Sequence, residues 1–149
     1  IKEIIEEMQP IAQKTNNTLE FIQQRDIRVY ADRIQLKRVI KNLIQNAISY
    51  GEPNFPIEVS IGEIPQYIVI KVKDYGAGIS KTDIDKIFNK YYSAAKKFRK
   101  IGTGLGLYLA LQIIKSHNGE LSVESEEGNF TEFTIKLPAV MNINLHYGE

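Results

Sequence analysis

The sequence predicts an α+β fold, a two-layer α/β sandwich in which three helices cover one face of a mixed, mostly antiparallel sheet of about five strands. Two observations carry this prediction. Apolar residues recur at helical spacing over three long segments and alternate with polar residues over several shorter ones. The strand-like segments come in adjacent pairs joined by short polar links, and packing helices onto such a sheet buries one face of every element.

Composition sets modest bounds on structure and function. At 149 residues the chain is expected to form one domain with a single core. Nineteen basic and 18 acidic residues nearly cancel, which makes no case for nucleic-acid binding, and the absence of cysteine excludes disulfide and thiolate chemistry. No apolar run approaches the length of a membrane span. Because the chain opens on Ile1 and not on methionine, we expect it to be part of a larger protein.

The first quarter of the chain predicts one helix and a short hairpin. Residues 1–14 place apolar side chains at helical spacing, and Pro10 is expected to kink or split that helix. Residues 18–22 and 28–31 have the pattern of two short strands. The polar link between them predicts that they pair as a hairpin.

The longest predicted helix begins after Asp32 and runs to Tyr50, where Gly51 ends it. Asp32 can cap the helix N-terminus, and Gln35 is expected to complete a capping box with it. A broad apolar stripe along this helix predicts that it packs against the sheet.

Two asparagines, Asn42 and Asn46, lie four residues apart at the margin of that stripe. Asparagine is a mediocre helix former, so two of them beside the core need a reason. They could be solvated or bonded to neighbouring loops. They could also be oxygen ligands facing a cleft, suited to a hard cation such as Mg²⁺ in company with phosphate oxygens and water. The pair alone leaves both interpretations open.

Two strands follow, over residues 57–64 and 67–74, and the second ends on an acid. Asp74 is followed closely by Gly76 and Gly78. This arrangement suits a place where the backbone must approach a ligand. An ordinary aspartate turn has the same composition, so the pattern does not decide between the two.

The next stretch combines a short predicted helix with an irregular basic segment. Residues 81–88 are expected to be helical, with Ser80 as the cap. Residues 89–103 carry several lysines and aromatic residues and could be either a solvated loop or a lid over a charged ligand. The cations nearest the end of this segment are Lys97, Arg99 and Lys100.

A glycine-rich turn then leads into an apolar helix that runs to about residue 117. Such a turn leaves backbone N–H groups unpaired at the helix N-terminus, with the helix dipole behind them, and so suits an anion such as phosphate. Flexible loops also use glycine, which makes the pattern weak on its own. The alternating residues are Gly102, Thr103, Gly104, Leu105 and Gly106.

The last segment predicts a hairpin that completes the sheet. Residues 121–126 and 131–137 are strand-like, and the link between them is polar. In the second strand apolar and polar residues alternate, as expected of a half-buried antiparallel strand.

Taken in order, these features resemble the boxes that define one family. Asn42…Asn46, Asp74-x-Gly76-x-Gly78, Phe88, Gly102-x-Gly104-x-Gly106 and Thr131-x-Phe133 look like the N, G1, F, G2 and G3 boxes of the catalytic ATP-binding domain of sensor histidine kinases. That domain belongs to the superfamily of gyrase, Hsp90, histidine kinases and MutL (GHKL), which shares the Bergerat fold. The resemblance implies that residues 1–140 form this domain and that residues 141–149 are a C-terminal tail.

The resemblance implies ATP and Mg²⁺ as ligands and assigns each matched residue a role. Asn46 would be the principal Mg²⁺ ligand, with Asn42 assisting at the metal and the phosphates. Asp74 would accept the exocyclic amine of adenine, and Thr131 would support Asp74. The residues implied to contact the base are Tyr50, Gly76, Gly78 and Ile79, and the N–H groups implied to contact the phosphates are those of Gly102, Thr103, Gly104, Leu105, Gly106 and Leu107. Phe88 and Tyr92 would anchor the lid. The lid cation would be Lys97, Arg99 or Lys100, in place of a basic residue that the family often has where Ser49 stands.

The residue at position 42 also bears on the reaction. Superfamily members that hydrolyse ATP or phosphorylate serine usually place a glutamate there as general base, and an amide cannot take a proton at neutral pH. A neutral histidine is already a nucleophile, so Asn42 favours transfer of the γ-phosphoryl group to histidine. The alternatives are an ATPase or serine kinase of the same fold, and a nucleotide-binding or docking module without transfer activity.

The resemblance also implies partners that lie outside this chain. Neither His117 nor His146 lies in a phosphoacceptor motif, so the acceptor histidine is expected on a dimerisation domain that precedes Ile1. A response regulator receiver domain would then take the phosphoryl group. We expect this domain alone to be a monomer in the cytoplasm, and the full-length protein to be a homodimer that could be anchored in a membrane.

Overall fold

A computed structural model describes residues 1–92 and 105–139 of the chain. Within them lie three helices and five strands, which confirms the predicted α+β class. Their bounds are α1 (Lys2–Gln13), β1 (Thr18–Gln23), α2 (Arg33–Tyr50), β2 (Pro56–Ile64), β3 (Tyr67–Asp74), α3 (Gly106–Ser116), β4 (Glu120–Glu126) and β5 (Phe130–Pro138).

The five strands form one mixed sheet in the order β1-β2-β3-β5-β4. Only β1 runs parallel to its neighbour, and the other pairs are antiparallel. In β3 and β5 every second residue is buried, so one face of the sheet packs against the helices and the other faces solvent. The largest side chains of the core come from α2, α3 and these inner strand positions: Ile40, Leu43, Ile44, Ile57, Ile70, Ile114, Ile135 and Leu137.

The proline in the first helix does not split it. Helix α1 continues through Pro10 to Gln13. Proline removes one backbone donor, and the carbonyl that this donor would have reached belongs to Glu6, an exposed residue. The predicted split was wrong, and the predicted kink stays a prediction.

The predicted hairpin over residues 18–31 was also wrong. β1 pairs in parallel with β2, with Thr18 opposite Pro56, and residues 28–31 form no strand. The other edge of β1 is covered at Leu19, where the Gln9 amide accepts from the backbone N–H at 2.9 Å and donates to the carbonyl at 3.3 Å. A side chain from α1 therefore takes the place of a neighbouring strand at that residue, and residues 27–31 instead pack apolar side chains against the core.

The start of α2 is capped as predicted, but its capping box is replaced by a longer-range contact. The Asp32 carboxylate accepts from the Gln35 N–H at 2.9 Å. The Asp32 N–H donates to Nε2 of His117 at 3.0 Å and not to Gln35. Nδ1 of His117 lies 2.8 Å from the Ile113 carbonyl, which can only accept, so Nδ1 carries the hydrogen and Nε2 is the acceptor. Through these two bonds the imidazole ring links the end of α3 to the start of α2.

Residues 81–88 form a series of turns where a short helix was expected. Ser80 does cap the segment, since its Oγ accepts from the Asp83 N–H at 3.3 Å. The Ile84 N–H reaches the Ser80 carbonyl across four residues at 3.0 Å, but the later bonds span three, such as Lys86 N–H to the Asp83 carbonyl at 2.8 Å, so no regular helix develops. Packing fixes the segment: Ile87 is buried, and the Phe88 ring meets that of Phe133 edge-on at 6.2 Å.

Across residues 1–92 and 105–139, no helix is both long enough and apolar enough to span a bilayer.

Candidate functional site

One face of α2 presents the side chains that the sequence singled out on this helix. Asn42, Asn46 and Tyr50 follow one another at intervals of four, and all three are half-buried. The Asn42 Nδ2 donates to the carbonyl of Gly106 at 3.3 Å, so the start of α3 lies directly beside this face. Asn42 therefore joins the two helices at the place where the glycine-rich turn enters α3.

Two glycines bring the loop after β3 against the end of α2. Gly51 and Gly76 form an isolated β-bridge. A Cβ on Gly76 would lie 2.3 Å from the Tyr50 carbonyl oxygen and 2.7 Å from the Gly51 Cα, so only glycine fits there. This close approach places Tyr50 and the loop at residues 75–79 side by side.

Asp74 is the most unusual polar group of the site. It is only 2% exposed, and its Oδ1 has no hydrogen-bond partner within residues 1–92 and 105–139. Burial raises the pKa of this carboxyl from 3.8 to about 7, and a hydrogen bond from the Gly76 N–H acts in the opposite direction. An unsatisfied buried acceptor costs about 1–3 kcal/mol, so the geometry suits a ligand that brings a hydrogen-bond donor.

The β4–β5 hairpin holds the loop at residues 75–79 from the other side. The Ile79 N–H donates to Ser125 Oγ at 2.8 Å, and the Gly128 N–H donates to the Ala77 carbonyl at 2.7 Å. Gly78 has φ +69°, and a Cβ there would lie 2.3 Å from the Glu126 carbonyl oxygen. Backbone contacts on both sides therefore fix the course of this loop.

Thr131 lies at the start of β5, directly opposite Asp74 on β3 and Ser125 on β4. Thr131 is only 4% exposed. Ser125 was missed by the reasoning from sequence, because a serine in an alternating strand gives no signal of a partner 46 residues away.

Tyr92, at the end of the first described range, is tied to the turns that follow Ser80. A hydrogen bond from Tyr92 lowers the pKa of the Asp83 carboxyl, and burial together with this bond raises the pKa of Tyr92 to about 12. Tyr50 also contributes, as the smallest cause, to the raised pKa of Tyr92.

The predicted phosphate turn is described only in part. Leu105, Gly106 and Leu107 form the entry to α3, and no side chain of the described residues caps that helix. The first-turn N–H groups of α3 lack intrahelical acceptors by geometry, and the Gly106 carbonyl accepts from Asn42, so this helix end lies beside Asn42. The other predicted ligands, Gly102, Thr103, Gly104, Lys97, Arg99 and Lys100, lie outside the described residues.

The described residues offer a cation only weak ligands. Within those ranges no three histidine, cysteine, aspartate or glutamate side chains cluster as a metal site would require. A cation here would depend on the amide oxygens of Asn42 and Asn46 and on oxygens of a second ligand.

A cavity of about 520 Å³ lies at the opposite end of α2 from these residues. It is bounded by α1, by residues 27–31 and by the first turns of α2, and it contains none of the site residues predicted from sequence. Its apolar floor includes Ile4, Phe21, Ile27, Ala31, Leu36 and Ile40.

Comparison with known proteins places this geometry in a family. Residues 31–141 match the model of histidine kinase-, DNA gyrase B- and HSP90-like ATPases. The chain is 38% identical over 129 residues to the sensor histidine kinase WalK of Bacillus subtilis (strain 168), covering 80% of this chain and 21% of that protein. It is 38% identical over 109 residues to the sensor protein SrrB of Staphylococcus aureus (strain NCTC 8325 / PS 47), covering 72% and 19% respectively. The chain thus spans about a fifth of the length of these curated relatives.

The fold matches that of a solved catalytic domain. The nucleotide-free catalytic domain of the histidine kinase ThkA superposes with a TM-score of 0.81 at 28% identity. The superposition covers 93% of this chain and 89% of that domain, so the two share a fold over nearly their whole length.

Proposed function

The chain belongs to the family of histidine kinase-, DNA gyrase B- and HSP90-like ATPases, and from this premise we propose that it binds Mg²⁺–ATP and donates the γ-phosphoryl group to a histidine on another domain. The observation that carries the proposal is Asp74 Oδ1, a buried acceptor with no hydrogen-bond partner among the described residues, beside a loop that requires glycine at positions 76 and 78. An acceptor in this position suits the exocyclic amine of adenine.

Base recognition would rest on the residues around Asp74. Its carboxylate accepts a hydrogen bond from the amine of adenine and rejects guanine, which presents a carbonyl there. The backbone of Gly76, Gly78 and Ile79 lets the base lie close to the loop. Tyr50 packs on the base, and Thr131 supports Asp74 by lying opposite it on β5, without donating its hydroxyl hydrogen to the carboxyl.

The two asparagines of α2 would hold the metal and the phosphates. An amide oxygen is a ligand that Mg²⁺ accepts, and one or two protein oxygens with phosphates and water complete its usual shell. We assign Asn46 as the principal ligand and Asn42 as its assistant. The bound metal would neutralise charge that develops on the phosphates.

The remaining phosphate contacts would come from the entry to α3 and from the basic segment before it. Backbone N–H groups of Gly102, Thr103, Gly104, Leu105, Gly106 and Leu107 suit phosphate oxygens, since the helix dipole adds a partial positive charge there. We assign the lid cation to Lys97, Arg99 or Lys100, and the lid anchors to Phe88 and Tyr92.

The chain itself would contribute positioning and charge stabilisation and no base. Asn42 cannot accept a proton, so a water molecule or a serine hydroxyl would gain no activation from it. A neutral histidine needs no such activation. This difference favours transfer to histidine over hydrolysis.

The partners and the domain bounds follow as part of the proposal. Residues 1–140 would be the catalytic ATP-binding domain and residues 141–149 a tail. The domain would work in the cytoplasm with a dimerisation domain that carries the histidine and with a response regulator that receives the phosphoryl group. It would be a monomer alone and a homodimer within the full-length protein.

Transfer can be tested by supplying the missing acceptor. We expect γ-labelled ATP, Mg²⁺ and this chain to label a separately purified dimerisation domain that carries the proposed acceptor histidine, with a bond labile to acid and stable to alkali. Its histidine-to-glutamine form and this chain alone should stay unlabelled. Steady phosphate release that is lost on changing Asn42, without labelled protein, would contradict the proposal and indicate an ATPase.

The metal role of Asn46 gives a separate prediction. In the unchanged chain Mg²⁺ should strengthen ATP binding, and in Asn46→Ala this enhancement should fall about tenfold because an inner oxygen ligand is lost. Calorimetric titration with and without Mg²⁺ measures it. Gln45→Ala is the matched control, since Gln45 is the exposed neighbour on the same helix. Equal Mg²⁺ enhancement in all three proteins would rule out Asn46 as the ligand.

A further inference from the structure

Three side chains form a row across β3, β5 and β4 on the inner face of the sheet. Asp74 lies opposite Thr131, and Thr131 lies opposite Ser125. Side chains at directly opposed antiparallel positions share a face, with Cβ atoms about 4.5–5.5 Å apart. The hydroxyl of Thr131 therefore lies between the serine and the buried carboxyl.

The contacts of Ser125 determine which way its hydrogen points. Its Oγ lies 2.8 Å from the Ile79 nitrogen, 2.7 Å from the Phe130 carbonyl oxygen and 3.1 Å from Thr131 Oγ1. A hydroxyl has one hydrogen and two lone pairs. The carbonyl can only accept, so the serine donates to it, and the Ile79 N–H can only donate, so the serine accepts from it. The remaining contact must then be donated by Thr131.

The hydrogen bond to Ser125 uses the single hydroxyl hydrogen of Thr131. Its hydroxyl points at Ser125 and presents lone pairs to the rest of its surroundings, so it offers no hydrogen to Asp74. The structure agrees, because Asp74 Oδ1 has no hydrogen-bond partner among the described residues although Thr131 stands directly opposite. An acceptor that its own neighbour does not satisfy remains available to a ligand.

We propose that Ser125 is a positioning residue that keeps the Asp74 carboxyl free to recognise the base, by drawing the Thr131 hydroxyl away from it and by holding the Ile79 N–H. The role in recognition rests on the proposed function, and the hydrogen-bond arrangement does not. Without the serine, the Thr131 hydroxyl would be free to turn toward Asp74, the residue opposite it on β3, and the carboxylate would then be satisfied before any ligand arrives.

The hydrogen-bond arrangement can be tested in the nucleotide-free protein. A donor that turns to the carboxylate stabilises its charged form. We therefore expect the Asp74 pKa, followed by carbon-13 NMR of its carboxyl, to fall by about one unit in Ser125→Ala. Ser122→Ala is the matched control because Ser122 is exposed on the same strand, and it should leave this pKa unchanged. In a Thr131→Val background Ser125→Ala should have no further effect, and an unchanged pKa in the single variant would overturn the proposal.

Recognition is tested by comparing ATP with purine riboside triphosphate, which lacks the exocyclic amine. We expect Ser125→Ala to reduce the preference for ATP about tenfold, since a hydrogen bond to the free carboxylate is lost. Ser125→Thr keeps the hydroxyl and should restore the preference. If Ser125→Ala weakens the binding of both nucleotides equally, the change has only loosened the loop at residues 75–79, and the proposed role in recognition is overturned. If the unchanged chain binds neither nucleotide, the proposed function fails while the Asp74 measurement still decides the hydrogen-bond arrangement.

Discussion

Asp74→Asn is expected to weaken ATP binding by about a hundredfold, which is the loss expected when a charged acceptor is replaced by an amide that can turn its own donor toward the amine. Isothermal titration calorimetry with ATP measures this. Asp85→Asn is the control, since Asp85 is an exposed aspartate in the turns after Ser80. ATP affinity that survives unchanged in Asp74→Asn would remove this carboxyl from the site.

The same change should make the nucleotide-free domain more stable at high pH. The folded protein holds the Asp74 proton more tightly than the unfolded chain does, because burial raises the pKa of this group from 3.8 to about 7. Asp74 therefore contributes most to the free energy of unfolding below pH 3.8, and this contribution is lost as pH rises through about 7. The resulting loss in the free energy of unfolding approaches about 4 kcal/mol above pH 7, because each unit of pKa difference corresponds to about 1.4 kcal/mol.

Urea unfolding between pH 5 and pH 9 tests this pH dependence. The free energy of unfolding of the unchanged chain should decline over that range more steeply than that of Asp74→Asn. Identical slopes for the two proteins would mean that the carboxylate is not buried in the folded state. If Asp74→Asn is more stable than the unchanged chain and yet does not bind ATP, then the buried carboxyl that lowers stability is also the one that binding needs.

Gly78→Ala is the second change with a large expected effect. The new methyl would lie 2.3 Å from the Glu126 carbonyl oxygen and 2.8 Å from the Glu127 Cα, on a backbone with φ +69°. Strain of the left-handed conformation and overlap with backbone together should cost about 3 kcal/mol or more. Thermal and urea unfolding measure the loss of stability, and ATP titration should show weaker binding because the loop at residues 75–79 must move.

Gly128→Ala separates the two causes. Gly128 also has a left-handed backbone, with φ +83°, but a Cβ there would meet nothing within 4 Å. It should cost about 1–2 kcal/mol from the conformation alone. If Gly78→Ala is no worse than Gly128→Ala, the close approach between this loop and the β4–β5 hairpin does not exist in solution.

The parts of the fold predicted correctly from sequence are those whose determinants lie close together along the chain. Helix α2 carries its cap, its apolar stripe and its terminating glycine within about twenty residues. The pairs β2–β3 and β4–β5 are joined by short turns, so alternation and a polar link were enough to predict them. The same periodicity predicted that Asn42 and Asn46 would share a helix face.

The parts that were missed depend on contacts between distant residues. β1 pairs in parallel with a strand almost forty residues later, and no local pattern separates that arrangement from a hairpin with residues 28–31. His117 bonds to Asp32 across 85 positions and displaces the expected capping box. Ser125 reaches Ile79 across 46 positions. Each side chain is ordinary in its own segment, and its partner becomes evident only when the sheet brings the strands together.

The most direct test of nucleotide binding between α2, the loop at residues 75–79 and the entry to α3 is an NMR titration of the isotopically labelled chain with Mg²⁺–ATP. We expect the largest shifts of backbone amide resonances at Gly76, Gly78, Ile79, Gly106 and Leu107. Saturating ATP that leaves these amides unmoved, or that shifts instead the amides of Phe21, Ile27 and Ala31 around the cavity at the opposite end of α2, would contradict nucleotide binding at this site.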